Sequence, residues 1–354
     1  MKKYMIFLAL LLLTGLLYSA DTDISKRPTS YWFSGNPDRD IAWNWMKDVD
    51  NTVNGSRGTG QVFYVDSNVN IEGAATTIDS ARDTLEEAIQ LCTADRGDII
   101  YCAQGHHEDG AASTFVDADI AGISIIGLGV GSLKPTFDFT TSSTTFSIGA
   151  DNITLANLRF VPDVTGVLVG VTIESGADYT NIINCDFGYA ASSTVDEFVT
   201  SIYVGTSTGV VIDGCFIDAA VASPTSAISF DAATGLVIKN NYIRGDYSLA
   251  NLSNANVCAN GIRINGNTLI NGVWVGLLND QPVWEFNLDT SGTSENNKAV
   301  SNLGSMAAAF VGTGMYNFDN YYSELSSGTN TGFSISLVAA TTTTKSIVPN
   351  SHGE

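Results

Sequence analysis

From residue 122 to residue 270 the apolar positions keep one register and repeat it six times. Ile123, Ile153, Thr180, Val210, Leu236 and Ile262 open the segments, and Ile125, Leu155, Ile182, Ile212, Ile238 and Ile264 follow two residues later. Beyond a single bend residue come Leu128, Leu158, Cys185, Cys215, Asn241 and Asn267, then, two further on, Val130, Phe160, Phe187, Ile217, Ile243 and Leu269. Side chains alternate between the two faces of a strand, so this pattern predicts two short strands per segment, each with one buried face. The bend between them is Gly127, Asn157, Asn184, Gly214, Asn240 and Gly266, at intervals of 30, 27, 30, 26 and 26 residues. Only Gly and Asn stand there, the residues that enter the left-handed backbone region at least cost. A second column, Gly122, Asn152, Tyr179, Gly209, Gly235 and Gly261, precedes the first strand of each segment. Short strands, one-residue bends and this interval fit the coils of a parallel β-helix, each burying its inward side chains against the coils above and below. The predicted fold is all-β, a single-stranded parallel solenoid.

The flanks break this register. Met1, Lys2 and Lys3, an apolar run from Met5 to Leu17 and a small residue at Ala20 predict a secretory signal peptide over 1–20, or a membrane anchor if that leader is retained. Residues 21–60 carry Trp32, Trp43 and Trp45 without any repeat, which predicts a cap or a subunit contact; such aromatics also stack on sugar rings. Over 61–98 a strand-like run leads to Ile78, Ala81, Leu85, Ala88, Ile89 and Cys92 at helical spacing, with Gly97 as the stop. That helix is expected to plug the first coil. Regular coils are expected over 99–280, irregular coils or a C-terminal cap over 281–340, and a loose polar tail over 341–354.

Composition narrows the partners. The 34 Gly, 7 Pro and 15% charged residues suit an interior of small and β-branched side chains. A formal net charge of −21 argues against nucleic acid and against an anionic membrane surface. Five cysteines form no evident disulfide framework: Cys185 and Cys215 share an inward column in successive coils, where free buried thiols pack well, although a bridge between them, or between Cys92 and Cys102, is geometrically possible. Asn241 and Asn267 continue that column and are expected to hydrogen-bond along the stack.

Candidate chemistry lies on the outward columns. One beyond the anchor the series is Gly129, Arg159, Asp186, Phe216, Tyr242 and Thr268. Coils lie about 4.8 Å apart, so Arg159 with Asp186, Asp213 with Lys239, and Asp218 with Arg244 should pair across coil boundaries. Asp186 and Asp218, about 8 Å apart on this spacing, are the candidate catalytic carboxylates for an inverting glycosidase, but basic neighbours would keep both ionised. Tyr242 joins the three tryptophans as a candidate binding aromatic. Asp66, Asn68, Asn70 and Glu72 alternate like the oxygen ligands of a calcium loop, with Gly73 two positions late for the EF-hand pattern. His106, His107 and Glu108 have the right types for zinc, yet adjacent residues of an extended chain point apart and no further ligand is spaced for it; a surface turn is expected there. Glu174 and Asp178 flank the string "ESGAD", where a turn role is expected.

The order of "QVFYVDSN", "TIDSARDTLEEAIQLC" and "GDIIYCAQGHHED" before Gly/Asn-punctuated coils resembles the opening of right-handed parallel β-helix proteins of the pectate-lyase-like superfamily, most similarly the uncharacterised β-helix proteins of phage and environmental sequences. The resemblance covers roughly 61–280 and implies the fold; the superfamily holds polysaccharide lyases, glycoside hydrolases, tailspikes and catalytically silent surface proteins. The Arg-x-Pro-x-x-Arg and Trp-Ile-Asp-His patterns of pectate lyases are missing, as are the Asn-Thr-Asp, Gly-His-Gly and Arg-Ile-Lys patterns of polygalacturonases. The expectation is therefore a non-catalytic secreted or virion-surface module, structural or carbohydrate-binding, without a required cofactor and as a homotrimer by the analogy with phage proteins. The alternative is a polysaccharide lyase or glycoside hydrolase.

Overall fold

A computed structural model describes residues 60–324 and 338–339, except 70–72, 112, 189–195, 220–223, 255–258, 273–280, 302–309 and 312–313. The predicted leader, the aromatic segment with Trp32, Trp43 and Trp45, Asn70, Glu72 and the whole polar tail over 341–354 lie outside the described residues.

Three parallel sheets wrap one core. The first runs from Val62–Val65 through Ile99–Cys102, Ser124–Gly127 and so on to Met315–Phe318. The second runs from His107–Gly110 to Tyr321–Glu324, with Val338–Ala339 added antiparallel at its end. The third runs from Thr114–Ala118 to Phe310–Val311. The chain visits the sheets in that order in every coil, so each strand pairs with the strand one coil earlier and one coil later. The predicted inward positions are in register: Ile182 faces Leu155 and Ile212, and Phe187 faces Phe160 and Ile217, all fully buried.

The left-handed bends are where the sequence places them. Asn157, Asn184, Gly214, Asn240 and Gly266 have φ between 53° and 68°, and the whole second column, from Gly122 to Gly261 and including Tyr179, is also left-handed. At each first-column bend the N–H reaches a carbonyl of the next coil, as in Asn157 to Ile183 at 3.0 Å and Asn184 to Asp213 at 2.9 Å. The structure adds two bends, Asn296 (φ 55°) and Asp319 (φ 46°). The register that fades in the sequence after residue 280 thus continues in the backbone to Glu324, along the same sheets.

The first member of the column is a correction. Gly127 ends a strand without a positive φ; a Cβ there would lie 2.1 Å from the Asn157 carbonyl oxygen, so glycine is needed for close approach. The chain turns left-handed later, at Gly129 and Gly131, and makes a 3-10 turn over Gly131–Leu133 before the next strand, Thr136–Phe139. Val130, expected inside, is 78% exposed, and Phe137 takes its place beside Phe160. The rings of Phe137, Phe160 and Phe187 stack down the column at centroid distances of 5.9 and 4.9 Å, with Phe146 edge-on to two of them.

The predicted capping helix is also shorter than expected. Ile78–Ser80 is a 3-10 turn, Ala81 is extended, and only Leu85–Ile89 is α-helical. Arg82 makes an isolated bridge to Val65, and a residue recruited to the sheet edge cannot continue a helix. The short helix buries Leu85, Ala88 and Ile89 and packs against the first strands of sheets one and three. Its first N–H, from Leu85, donates to Glu108 Oε1 at 2.6 Å, so an acid of the first coil closes the helix N-terminus. Among the described residues no helix is long and apolar enough to cross a membrane.

Inside, the small-residue column becomes an asparagine ladder. Asn241, Asn267, Asn297 and Asn320 are buried, and each amide nitrogen of Asn241, Asn267 and Asn297 donates at 2.9–3.0 Å to the side-chain oxygen one coil on. Below Asn241 the column continues through Cys215 and Cys185, both free, as are Cys92 and Cys102, to the buried Leu158. Burial raises all four thiols, Cys92 and Cys185 to about 12.

Candidate functional site

The outward face of the second sheet carries charged and aromatic side chains in register from coil to coil. Register fixes one column as His107, Thr136, Arg159, Asp186, Phe216, Tyr242, Thr268, Lys298 and Tyr321, and a second as Asp109, Asp138 and Val161, then Asp218, Arg244, Ile270 and Val300.

In the middle of this face the expected ion pairs are present. Asp186 is 3.5 Å from Arg159, and also 2.8 Å from Lys134, whose ammonium reaches the Asn184 carbonyl as well. Lys134 comes from the irregular turn of an earlier coil, so strand spacing gave no sign of it. Arg244 forks onto Asp218, Nε donating to Oδ1 at 3.0 Å and the second nitrogen to Oδ2. Lys239 and Asp213 pair at 3.2 Å on the neighbouring sheet. Asp186 and Asp218 thus stand in adjacent coils on one face, each held by cations. Between those pairs Phe216 and Tyr242 stack at 5.5 Å and 7° between planes, 41% and 37% exposed. Each ring covers one face of the other. Thr268, next in the column, is too short to cover the remaining face of Tyr242.

At the start of the face His107 Nε2 lies 2.9 Å from Asp138 Oδ2 and 3.6 Å from Asp109 Oδ1. The bond to Asp138, with the charges of Asp138, Asp109 and Asp163, raises the imidazole above its ordinary range. Burial raises the Asp138 carboxyl, and His107 only partly offsets it. The turn expected at His106–Glu108 is in fact strand from His107 onward, and a further ligand, Asp138, comes from the next coil to join His107 and Asp109. A register carried through Gly129–Gly131 hides Asp138, although the alternation "TFDF" at 136–139 marks it as outward. The two histidines do point apart. His106 is buried, its Nδ1 accepts from the Ser67 N–H at 2.9 Å, and its Nε2 therefore carries the proton facing Glu108 Oε1 at 2.7 Å.

The third sheet has an acidic outer edge. Ser147 Oγ donates to Glu174 at 2.6 Å, and Tyr203 donates to Asp231 at 2.6 Å, which together with burial raises the phenol to about 12. A Cβ on Gly149 would lie 3.4 Å from Glu174 Oε2 and 3.7 Å from Asp117 Oδ1, so those oxygens are at most about 7 Å apart. Burial, with Asp119, Glu174 and Glu86 nearby, raises the Asp117 carboxyl. The string "ESGAD" is a turn: the Ala177 N–H bonds the Glu174 carbonyl, while the Glu174 side chain faces this acidic edge.

In the run that alternates like a calcium loop, Asp66 Oδ1 accepts from both the backbone and the side-chain nitrogen of Asn68, forming a local turn.

No protein-family model matches the sequence, and no curated protein sequence matches it. Among solved structures, a rhamnogalacturonan lyase matches with 12% identity and a TM-score of 0.43, over 74% of this chain and 87% of its own. PfbA, a surface adhesin of Streptococcus pneumoniae, matches with 11% identity and a TM-score of 0.35, over 80% of this chain and 84% of its own. Likeness at this level carries no argument about activity.

Proposed function

We propose that the protein is a non-catalytic β-helix module, secreted or displayed on a virion or cell surface, that binds polysaccharide along the outward face of its second sheet. The observation that carries this reading is the exposed Phe216–Tyr242 stack, set in a regular strand ladder and flanked by closed ion pairs. An aromatic face with one open side suits the apolar face of a sugar ring, and charged pairs beside it offer hydrogen bonds to hydroxyls. The net charge of −21 favours neutral over acidic glycans. Trp32, Trp43 and Trp45 are proposed as further sugar-stacking aromatics in their own right, calcium at Asp66, Asn68, Asn70 and Glu72 to support the binding, and assembly as a homotrimer, by analogy with phage β-helix proteins, to multiply it. The test is affinity electrophoresis of the full chain in gels containing neutral or acidic polysaccharides, with and without calcium. Retardation by a neutral glycan, lost in Tyr242→Ala and Phe216→Ala, is expected; no retardation in any gel overturns the reading. Light scattering reads the oligomer.

The Asp117–Glu174 pair favours a second reading. A carboxyl raised by burial beside a second carboxylate at most about 7 Å away is an acid and base arrangement for glycoside cleavage. New reducing ends or unsaturated uronates from any polysaccharide, abolished by Asp117→Asn, would establish the enzyme in place of the binding module.

A further inference from the structure

We propose that His107, Asp109 and Asp138 form a binding site for one divalent transition cation of the zinc type, open to solvent at its remaining positions. The three residues offer ligand atoms that all lie within 4.8 Å of one another. Two distances constrain the fit further. Ligands bonded at the usual 2.0–2.2 Å to a tetrahedral cation stand about 3.4 Å from each other, and to an octahedral one about 3.0 Å. The imidazole Nε2 is 2.9 Å from one carboxylate oxygen and 3.6 Å from the other, so small side-chain rotations bring all three to a common centre.

The backbone already holds the ligands in place. His107 and Asp109 alternate along one strand and point the same way, and Asp138 stands directly opposite Asp109 on the next coil. Behind that strand, His106 and Glu108 are buried and bonded to each other and to the Ser67 and Leu85 amides, while Ser67 Oγ accepts from the His107 N–H at 3.0 Å. Such backing fixes the register of the ligand strand. One carboxylate oxygen of Asp138 bonds His107; the other, Oδ1, is buried without a hydrogen-bond partner. A cation held bidentately by Asp138, through Oδ2 and Oδ1 together, would satisfy it. A mixed imidazole and carboxylate set favours zinc, cobalt or manganese over calcium, which takes oxygen ligands in larger number. Three protein ligands with the rest of the sphere open make a site at which water or a sugar hydroxyl completes the coordination.

The test is a calorimetric titration of the full, chelator-stripped chain with zinc chloride, repeated with calcium chloride, together with the visible spectrum on adding cobalt. One equivalent of zinc per chain is expected, with cobalt bands in the visible region and no calcium heat that the triad variants alter. His107→Ala and Asp138→Asn should each weaken zinc by at least ~10-fold, since even outer-sphere partners of metal ligands are worth about that much. His352→Ala, in the tail, should change nothing. Circular dichroism melts check that the variants fold, and Asp138→Asn keeps the side-chain shape. Absence of a one-equivalent site overturns the proposal, as does zinc binding that survives both triad changes or is lost in His352→Ala. Preference for calcium at the triad overturns the assignment of the ion.

Discussion

Replacing Asn267 with alanine tests whether the asparagine ladder holds the coils together or merely fills the column. The side chain is fully buried and makes four bonds. Its Oδ1 accepts from the Asn241 backbone N–H at 2.9 Å and from Asn241 Nδ2 at 3.0 Å, and its Nδ2 donates to the Ile238 carbonyl and to Asn297 Oδ1, both at 2.9 Å. After truncation Asn241 Nδ2 keeps its bond to Ile212 O, and Asn297 Oδ1 keeps the Asn267 backbone N–H. The uncompensated loss is the Asn241 N–H, since Ile238 lies within a strand paired with the next coil and its carbonyl stays in that ladder. A buried group stripped of its partner costs about 1–3 kcal/mol, so the expected loss is ~2 kcal/mol before any cavity. Because a solenoid's coils couple mainly to their neighbours, the loss should be local. Native-state hydrogen exchange is the appropriate assay: the Asn241 and Asn267 amides should lose protection by roughly 30-fold, from ~1.4 kcal/mol per factor of ten, while amides of the Leu155 coil change little. Protection at Asn241 within about threefold of wild type would refute the reasoning and leave the ladder as packing alone.

The left-handed bends predict asymmetric substitutions: Asn184→Gly should shift stability by no more than ~0.5 kcal/mol, while Gly209→Ala should cost about 1–2 kcal/mol in a denaturant melt, because φ is 70° and a Cβ would meet the Tyr179 ring. In the native chain at pH 8, Cys92, Cys102, Cys185 and Cys215 should resist iodoacetamide and become modified only on unfolding, read by peptide mass mapping, since burial raises all four thiols. Asp98 is held below its ordinary range: burial works against its charge, but the Arg96 guanidinium and the Thr93 and Gln61 amides outweigh it. Its contribution should therefore be full above the unfolded value and vanish as pH falls through the lower folded one, an acid-limb dependence that Asp98→Asn removes from pH-dependent melts. The His107 imidazole should titrate above its ordinary range by NMR and fall back in Asp138→Asn.

What the sequence shows directly is the chemistry confined to one residue. A left-handed φ favours Gly or Asn, so five of the six first-column bends and five of the six second-column bends can be read from a string of letters, while Tyr179, at φ 57°, is placed by the spacing of its neighbours alone. Inward alternation is equally local, and it places Phe160, Phe187, Ile217 and Ile243 in the core. What fails is what an insertion displaces. The Gly129–Gly131 turn lengthens one coil, and with it the register of Val130 and of the outward column moves by several residues, hiding Asp138. The helix reading of 78–92 fails for a related reason: Arg82 bonds the edge of the first sheet, and a tertiary bridge overrides a helical period.

The same distinction decides how function is written into such a chain. Inward columns are constrained by the coils on both sides, so their residues repeat and announce the fold. Outward columns have no such partner, and a site there is assembled from residues one coil apart in space and some 30 apart in sequence, such as His107 and Asp138. Spacing alone recovers such a pair only when the intervening coil has regular length, which is why Arg159 with Asp186 and Asp218 with Arg244 were legible and the pair of Lys134 with Asp186 was not. Chemistry on a solenoid of this kind is therefore to be sought beside its irregular coils. The Gly129–Gly131 turn supports that view: it sets the position of Asp138 beside His107, and it carries Lys134 across to Asp186.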